Sequence, residues 1–263
     1  MQFSFDLISD LHLETWPEFD WEGQATSQFC IIAGDVCKNY QLLSQSLGHL
    51  SDCYQGVFYI DGNDEHKQNL NQIGVNYKEI QGILDEFTNV IYLQDNAVVV
   101  DGVAILATNG WWTWDFDNNN DPAESKQAFR DKFNCESWVP EVIENIAFND
   151  VNYLSSSVKR LQTHSDVKKI IVVTHTVPSR DLISHDIELV KNHNIYNTMG
   201  NSFIQQILHE DSENKISHWC FGHYHGSVDQ VINGIRYVNN CKGRGDTQWK
   251  KSVYHPLRIE VNF

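Results

Sequence analysis

Residues 3–12 read FSFDLISDLH, an apolar run followed by the tetrapeptide Ser9-Asp10-Leu11-His12. Through Ile8, bulky apolar residues alternate with small or polar ones, which is the pattern of a half-buried strand. Asp10 and His12 follow this strand directly, and at that spacing a carboxylate oxygen and an imidazole nitrogen can converge on one cation. Taken alone, the pair is better explained as a polar turn after a strand. Later strand ends carry matching residue types and change that interpretation.

The chain has 263 residues, a formal net charge of −16 and a sequence pI near 5.0. This length fits one large α/β domain or two small ones. An acidic surface disfavours a duplex nucleic-acid partner, whose phosphates need a basic face. It also repels a phosphate ester unless bound cations reverse the sign locally. Acidity can equally serve solubility alone. The charge therefore argues against a duplex nucleic-acid partner but does not identify the actual partner.

The six cysteines form no CxxC pair and no disulfide-framework spacing. We expect all of them to be reduced, as in a cytoplasmic protein. No charged leader with an apolar stretch is recognisable, and no apolar run approaches the length that spans a membrane. The sequence therefore predicts a cytoplasmic protein without a membrane partner, and it does not indicate an oligomeric state.

Apolar runs that predict strands alternate with helical periodicities along the first two thirds of the chain, and a strand-rich segment follows. This order is typical of a mixed α/β sandwich. We predict helices over 39–53, 67–87, 122–148 with an interruption near Pro140, 151–163 and 202–208, and a loop over 179–200. No linker argues for a second domain. We therefore predict a single domain over residues 1–263, with a cap or insertion around residues 109–148.

Polar residues that bind metals stand where the predicted strands end, which is where α/β sheets gather their sites. They are Asp10, His12, Asp35, Asn63, His175, His223 and His225. Nitrogen and oxygen donors without thiolate suit Mn, Fe, Co, Ni or Zn rather than Mg or Ca alone. Seven donors exceed what one ion with an open position needs. The number of donors therefore points to two metal ions, with a carboxylate as the natural bridge between them.

Five short blocks resemble, in order, the motifs of the calcineurin-like metallophosphoesterase superfamily. They are Asp10-Leu11-His12, Gly34-Asp35, Gly62-Asn63-Asp64-Glu65, Thr174-His175 and Gly222-His223-Tyr224-His225. Each block is individually weak, but five in this order, spread from end to end of the chain, are specific. We accordingly predict the four-layer α/β sandwich of that family, with two mixed sheets packed face to face and helices outside.

The resemblance also implies a role for each matching residue. Asp10, His12 and His225 would hold the first metal; Asn63, His175 and His223 would hold the second; Asp35 would bridge both. Two cations about 3.5–4 Å apart would hold a bridging hydroxide and grip the phosphoryl oxygens for in-line displacement. They would also supply the positive charge that the acidic chain lacks.

One position departs from the family pattern. The third block usually reads Gly-Asn-His-Asp/Glu, and its His is generally taken as the acid that protonates the leaving group, whereas this chain has Asp64 there. We expect that Asp64, or His66 two residues on, takes part in that protonation; the alternative for His66 is a plain residue at a helix start. If no acid remains, esters with good leaving groups should be strongly preferred.

Further candidates for substrate binding follow other predicted strands. Trp111 and Trp112 belong to an aromatic cluster that could stack a nucleobase or aryl group above the metals, or could simply fill the core. Asn109, just before it, would lie near a strand end and approach the phosphate. Arg244 sits in a short basic, glycine-rich stretch that could meet a phosphate, although a solvated turn explains the stretch as well.

Together these features predict a metal-dependent hydrolase of a phosphate ester, with a phosphodiester or nucleotide-like small molecule as the favoured substrate. A protein Ser/Thr phosphatase or small-molecule phosphomonoesterase would use the same chemistry. A nuclease would need a basic track, but 19 Lys and Arg stand against 35 Asp and Glu. A non-catalytic metal-binding scaffold is the alternative from another class, and the complete donor set argues against it.

Overall fold

The computed structural model describes residues 2–16, 24–117, 121–246 and 253–263 of the chain. Within these ranges the strands form two mixed sheets. The first sheet has the order β11 (Leu257–Asn262), β1 (Gln2–Ile8), β2 (Phe29–Ala33), β3 (Gly56–Ile60) and β4 (Val90–Tyr92). The second has the order β5 (Asn96–Val100), β6 (Val103–Ala107), β7 (Lys169–Val173), β8 (Ile216–Phe221), β10 (Ile235–Asn239) and β9 (Asp229–Ile232).

The central strands of both sheets run parallel, and antiparallel pairs close the edges. Strands β1 to β4 are parallel to one another, with Leu7 paired to Ile31 and Ile31 to Phe58. Strands β6, β7, β8 and β10 are likewise parallel. Because parallel strands end on the same edge of a sheet, the polar residues that follow them are brought together.

The described residues form six α-helices. They are α1 (Tyr40–Cys53), α2 (Ile73–Leu84), α3 (Pro122–Phe133), α4 (Val139–Gln162), α5 (Ile187–Lys191) and α6 (His193–Tyr196). Local sequence fixes where two of them begin. The side chain of Asn39 accepts a hydrogen bond from Leu42 N at the start of α1. Asp121 caps α3 in the same way, and Pro122 occupies the first turn.

Because side chains alternate between the two faces of each strand, apolar residues form three layers. Phe5, Ile105 and Ile171 belong to the layer between the sheets. Residues on the opposite faces pack against helices, as Ile32 does with Leu47 of α1 on the first sheet. On the second sheet α4 provides the corresponding cover. The predicted four-layer α/β sandwich, with two mixed sheets flanked by helices, is therefore confirmed.

The predicted interruption near Pro140 lies at residues 134–138, because α3 ends at Phe133 and Asn134 adopts a left-handed conformation. Pro140 itself lies in the first turn of α4, where a missing N–H costs nothing. Two other local predictions were wrong. The segment 151–163 is not a separate helix, because α4 continues without a break to Gln162. The segment 179–200, predicted as loop, contains the short helices α5 and α6, capped by Asp186 and Asn192. The predicted polar loop around residues 118–120 lies outside the described residues.

Candidate metal centre

Four of the predicted metal ligands sit in left-handed backbone conformations just after strands. The φ angles are 50° for Asp10, 44° for His12, 55° for Asp35 and 64° for His223. Such a conformation costs a residue other than glycine about 1–3 kcal/mol, and it persists where the surroundings fix it, often at functional sites. The sharp turns stop each strand and direct the polar side chains to one place.

Asp10, His12 and His225 form the first group of donors. The Nε2 atoms of His12 and His225 lie 3.0 Å apart. Asp10 Oδ1 is 3.9 Å from the first of these nitrogens and 3.4 Å from the second. These three side chains offer donor atoms that all lie within 4.8 Å of one another. The structure therefore brings together the three residues predicted for the first metal.

Asp35, His175 and His223 form the second group, with donor atoms within the same 4.8 Å. His175 Nε2 lies 3.5 Å from Asp35 Oδ1 and 3.1 Å from Asn63 Oδ1. The carboxamide of Asn63 thus belongs to this group as well. All four residues predicted around the second metal therefore meet, two from strand ends of the first sheet and two from strand ends of the second.

Asp35 stands between the two groups. Its Oδ2 faces His12 Nε2 at 3.7 Å, and its Oδ1 faces His175 Nε2 at 3.5 Å. A carboxylate whose oxygens face different sets of nitrogen donors has the geometry of a bridge between two cations. Glycines allow this close approach: a Cβ at Gly34 would come to 2.5 Å from His175 Nδ1, and one at Gly222 to 2.5 Å from Asp10 Oδ2.

The donor chemistry fits divalent or trivalent transition metals. Imidazole, carboxylate and carboxamide without thiolate suit Mn, Fe, Co, Ni or Zn. The remaining nitrogen of His175, Nδ1, lies 2.8 Å from the carbonyl of Ala33, and His223 Nε2 lies 3.0 Å from the carbonyl of Thr198. Contacts of this kind orient an imidazole and fix which nitrogen faces a metal. They leave Nε2 of His175 and Nδ1 of His223 to face the centre.

The charges within the second group of donors favour a bound cation. Burial lowers the pKa of His175, but the Asp35 carboxylate outweighs it and raises that pKa to about 10. Burial and the neighbouring His175 lower the pKa of His223 to about 3. In the absence of metal a proton on His175 therefore compensates the buried carboxylates. Because only the neutral imidazole ligates a metal, binding a cation here would release that proton.

Glu65 fastens the loops that carry the second group of donors. Its Oε1 accepts hydrogen bonds from the N–H groups of Val36 at 2.6 Å and Cys37 at 3.3 Å. Its Oε2 accepts from Gly62 N at 2.8 Å and Asp35 N at 3.1 Å. Burial and the Asp35 carboxylate raise the pKa of Glu65, but the four N–H donors, Gly62 among them, favour its ionised form. The sequence analysis quoted Glu65 in a motif but gave it no role.

Asp64, at the position that departs from the family pattern, is buried and surrounded by cations. Lys67 donates to its Oδ1, and Arg244 Nη1 lies 3.2 Å and Lys38 Nζ 3.7 Å from its Oδ2. His12 Nδ1 is also 3.2 Å from Oδ2. Burial raises the pKa of Asp64, but His12 and Lys67 outweigh it and hold that pKa well below its usual range. An ion-paired carboxylate of this kind is poorly placed to donate a proton.

His66 lies behind the centre rather than in it. It is fully buried, its Nε2 is 2.7 Å from Asp61 Oδ2, and its ring packs against Tyr77 and Trp111. Asn109 is also fully buried, and it donates to the same Asp61 carboxylate at 3.0 Å. Neither residue lines the cavity above the donors. These placements do not favour the predicted roles of His66 in protonation and of Asn109 in substrate contact.

Most of the tryptophans of the 111–114 cluster belong to the hydrophobic core. Trp111 and Trp114 are fully buried, and their indole Nε1 atoms donate to Tyr77 Oη at 2.8 Å and to the Pro140 carbonyl at 3.1 Å. Only Trp112 reaches the site, where its ring stacks on His223 with centroids 5.7 Å apart and planes 19° apart. Of the two tryptophans predicted as candidates for stacking a substrate, only Trp112 therefore lies beside the proposed metal ligands.

A cavity of about 380 Å³ opens above the donors. Its wall includes His12, Asp35, Asn63, His223, His225 and Arg244. Lys67, which the sequence analysis did not select, also lines it. So do Met199 and residues of α5 and α6, which no motif marked. The volume lies in the range of about 300–1,000 Å³ that is usual for small-molecule sites.

Another residue that sequence reasoning passed over supports Asp10. Cys241 is buried, and its Sγ donates to Asp10 Oδ2 at 3.0 Å. The residue follows β10, and Ser9 pairs with it in a parallel bridge. Only the parallel alignment of the two strand ends, 231 residues apart in the chain, creates this contact.

Comparison with known proteins identifies the fold. No protein-family profile matches the chain. An uncharacterized protein, L509 of Acanthamoeba polyphaga mimivirus, is 23% identical over 264 residues, covering 90% of this chain and 89% of that protein. Phosphopantetheinyl hydrolase (PptH) from Mycobacterium tuberculosis is similar in structure, with a TM-score of 0.67 and 16% identity over 97% of this chain and 95% of that one.

A second protein of similar structure is GAP50, described as the anchor in the inner membrane complex of Plasmodium, with a TM-score of 0.52 and 14% identity over 98% of this chain and 81% of that one. The chain therefore has the calcineurin-like metallophosphoesterase fold, which is the fold that the resemblance of its five sequence blocks predicts. This fold occurs both in a protein named as a hydrolase and in one named as an anchor. The function has to be argued from the site.

None of the helices in the described ranges is long and apolar enough to cross a membrane.

Proposed function

We propose that the protein is a dinuclear metal-dependent phosphoesterase that hydrolyses a small phosphate ester. The observation that carries this proposal is the position of Asp35, whose two carboxylate oxygens face two separate groups of donors at 3.7 Å and 3.5 Å. Asp10, His12 and His225 would hold one metal. Asn63, His175 and His223 would hold the other. A PptH-like fold, in a protein named as a hydrolase, is consistent with this activity.

Two cations in these positions would supply Lewis acidity toward phosphoryl oxygens and would make water a nucleophile at neutral pH. The chain contributes the rest. Its net charge of −16 repels an anionic substrate, so Lys67 and Arg244 at the cavity wall provide local positive charge. Asp64 ion-pairs with both and fixes their positions beside the donors. In this proposal Arg244 keeps its predicted contact with the substrate, and Asp64 acts as a positioning residue.

The leaving group would depart without a strong protein acid in this arrangement, because Asp64 is ion-paired and His66 is buried away from the cavity. General acids typically contribute about 10²–10⁴-fold to a rate. We therefore propose that the enzyme strongly prefers esters whose leaving groups have a low pKa.

A small molecule is favoured over a protein substrate because the donors lie at the base of a cavity of about 380 Å³. Within that class we propose a phosphodiester or a nucleotide-like ester, with a phosphomonoester as the second candidate.

We also propose that residues 109–148 are an insertion in a single domain, since α3 and the start of α4 pack with Trp112 beside the mouth of the cavity.

The test is hydrolysis of bis-p-nitrophenyl phosphate and p-nitrophenyl phosphate by the Mn-loaded protein, with metal content measured on the same samples. Asp35→Asn should lower turnover by at least 10³-fold and reduce the bound Mn from two to one or fewer per chain. Asp229→Asn is the matched control, because Asp229 lies on the edge strand β9 and pairs with Arg236. That variant should keep full activity and both ions.

The results separate the candidate functions. Preference for the diester supports a phosphodiesterase, and preference for the monoester supports a phosphatase. Two bound ions without turnover of either ester or of nucleotide esters would support the metal-binding scaffold. Equal activity of Asp35→Asn and the wild type would overturn the proposed role of Asp35.

A further inference from the structure

A second cavity of about 170 Å³ adjoins the metal centre. Asn63, Lys67 and His223 line both this cavity and the larger one, so the two meet at the second group of donors. Helix α3 supplies much of the remaining wall, through residues that no sequence motif marked. The proposed metal chemistry does not use this side pocket, which is defined by Trp112, Ser125, Ala128, Phe129, Lys132 and Phe133 together with its neighbours from 194–199.

Aromatic rings form a continuous series along the side pocket. Trp112 stacks on His223, and the centroid of the Phe129 ring lies 6.0 Å from that of Trp112. The Phe133 ring follows at 4.6 Å from Phe129. The series begins at a proposed metal ligand and ends at the half-buried Phe133. A group attached to a phosphate at the metals could therefore reach these rings directly.

Polar atoms in the same pocket suit a planar, polar ring better than an alkyl chain. The ammonium groups of Lys67 and Lys132 lie 5.6 Å and 5.2 Å from the centroid of Phe133. Trp112 is 3% exposed, and its Nε1 is a buried donor without a hydrogen-bond partner among the described residues. A heteroaromatic ring offers acceptor atoms to the two ammonium groups and a flat face to the half-buried Phe133 ring.

We propose that the side pocket binds an aromatic group of the substrate, a nucleobase or similar heteroaryl ring, while the phosphate lies at the metals. This inference rests on the proposed function and adds the pocket that would hold the organic group of the ester. Trp112, Phe129 and Phe133 would determine that specificity. Lys132, at the rim, would favour rings that carry oxygen acceptors.

The test compares two esters with the same leaving group, the p-nitrophenyl ester of thymidine 5′-phosphate and methyl p-nitrophenyl phosphate. Phe133→Ala should lower kcat/KM for the thymidine ester about tenfold, which corresponds to about 1.4 kcal/mol, and leave the methyl ester within about twofold. Ala128→Leu keeps a good helix former in α3 and fills the pocket, so it should cause the same selective loss. Phe148→Ala is the control, since Phe148 is exposed and outside both cavities.

Two failures remain distinguishable. If the wild type hydrolyses both esters and the pocket variants lower both equally or neither, the pocket inference is overturned and the hydrolase stands. If the wild type hydrolyses neither ester, the proposed function fails, and calorimetric titration of the Mn-loaded protein with thymidine 5′-monophosphate decides the pocket. Binding that Phe133→Ala weakens about tenfold would support the inference, and equal affinity of the variant and wild type, or no binding, would refute it.

Discussion

Replacing Glu65 by Gln is expected to loosen the loops that hold Asp35 and Asn63 in place. The carboxylate of Glu65 accepts hydrogen bonds from four backbone N–H groups, two on each oxygen. Gln has the same shape but only one oxygen, and its NH₂ group would face two N–H donors. The substitution therefore removes about half of the hydrogen bonds and leaves no cavity.

The magnitude follows from those bonds. A hydrogen bond to a charged group contributes about 1.5–3 kcal/mol, so losing two would cost about 3–6 kcal/mol. Removing a buried charge offsets part of that cost. We expect the free energy of unfolding to fall by about 2–4 kcal/mol and the melting temperature by roughly 5–15 °C. The affinity for metal should fall by about 10–100-fold, because the group orients ligands without touching the ion.

Calorimetry of the metal-free protein measures the stability change, and Mn titration of the same variant measures the affinity. Glu79→Gln on the exposed face of α2 is the matched control and should change stability by less than about 0.5 kcal/mol. A Glu65→Gln variant with wild-type melting temperature and wild-type Mn affinity would refute the account of how these loops are held.

Other predictions concern the core and acid stability. Trp114→Ala should lower the free energy of unfolding by about 3–5 kcal/mol in urea titrations, because Trp114 is fully buried, whereas Trp138→Ala at an exposed site should cost much less. Burial and Arg236 lower the pKa of His218 from 6.5 to about 4. As the pH falls, the unfolded chain therefore binds a proton at His218 before the folded chain does. The stability that the neutral His218 contributes above pH 6.5 is lost on acidification toward pH 4, and the loss is roughly 3 kcal/mol. His218→Gln should flatten that part of the stability curve; an unchanged slope would contradict the assignment.

The sequence predicted well what repeats regularly or follows a strand. Alternation along β1 and the apolar runs of β2 and β7 identified the strands, and the turns after them carry Asp10, Asp35 and His175. Because parallel strands share an edge, Asp10 and Asp35 meet at the first sheet, and the packing of the two sheets adds His175 from the second. The fold and the grouping of the donors therefore followed from order and spacing.

Contacts that join loops distant in sequence were beyond such reasoning. Lys67 is only three residues from Asp64, but the other two cations around that carboxylate, Lys38 and Arg244, come from distant loops, and nothing local to Asp64 indicates them. Trp111 looked like a candidate for substrate binding, yet packing with Tyr77 and the start of α4 buries it. His66 was selected for its chemistry and its nearness to Asn63, but the chain turns its ring toward Asp61. Whether a polar or aromatic side chain faces the cavity depends on tertiary packing.

The most direct test of the dinuclear centre is anomalous diffraction at the manganese edge from crystals of the Mn-loaded protein. The account predicts two anomalous peaks about 3.5–4 Å apart, each within coordination distance of a different oxygen of Asp35. One peak would lie among Asp10, His12 and His225, and the other among Asn63, His175 and His223. A single peak, or two peaks that do not share Asp35, would contradict it.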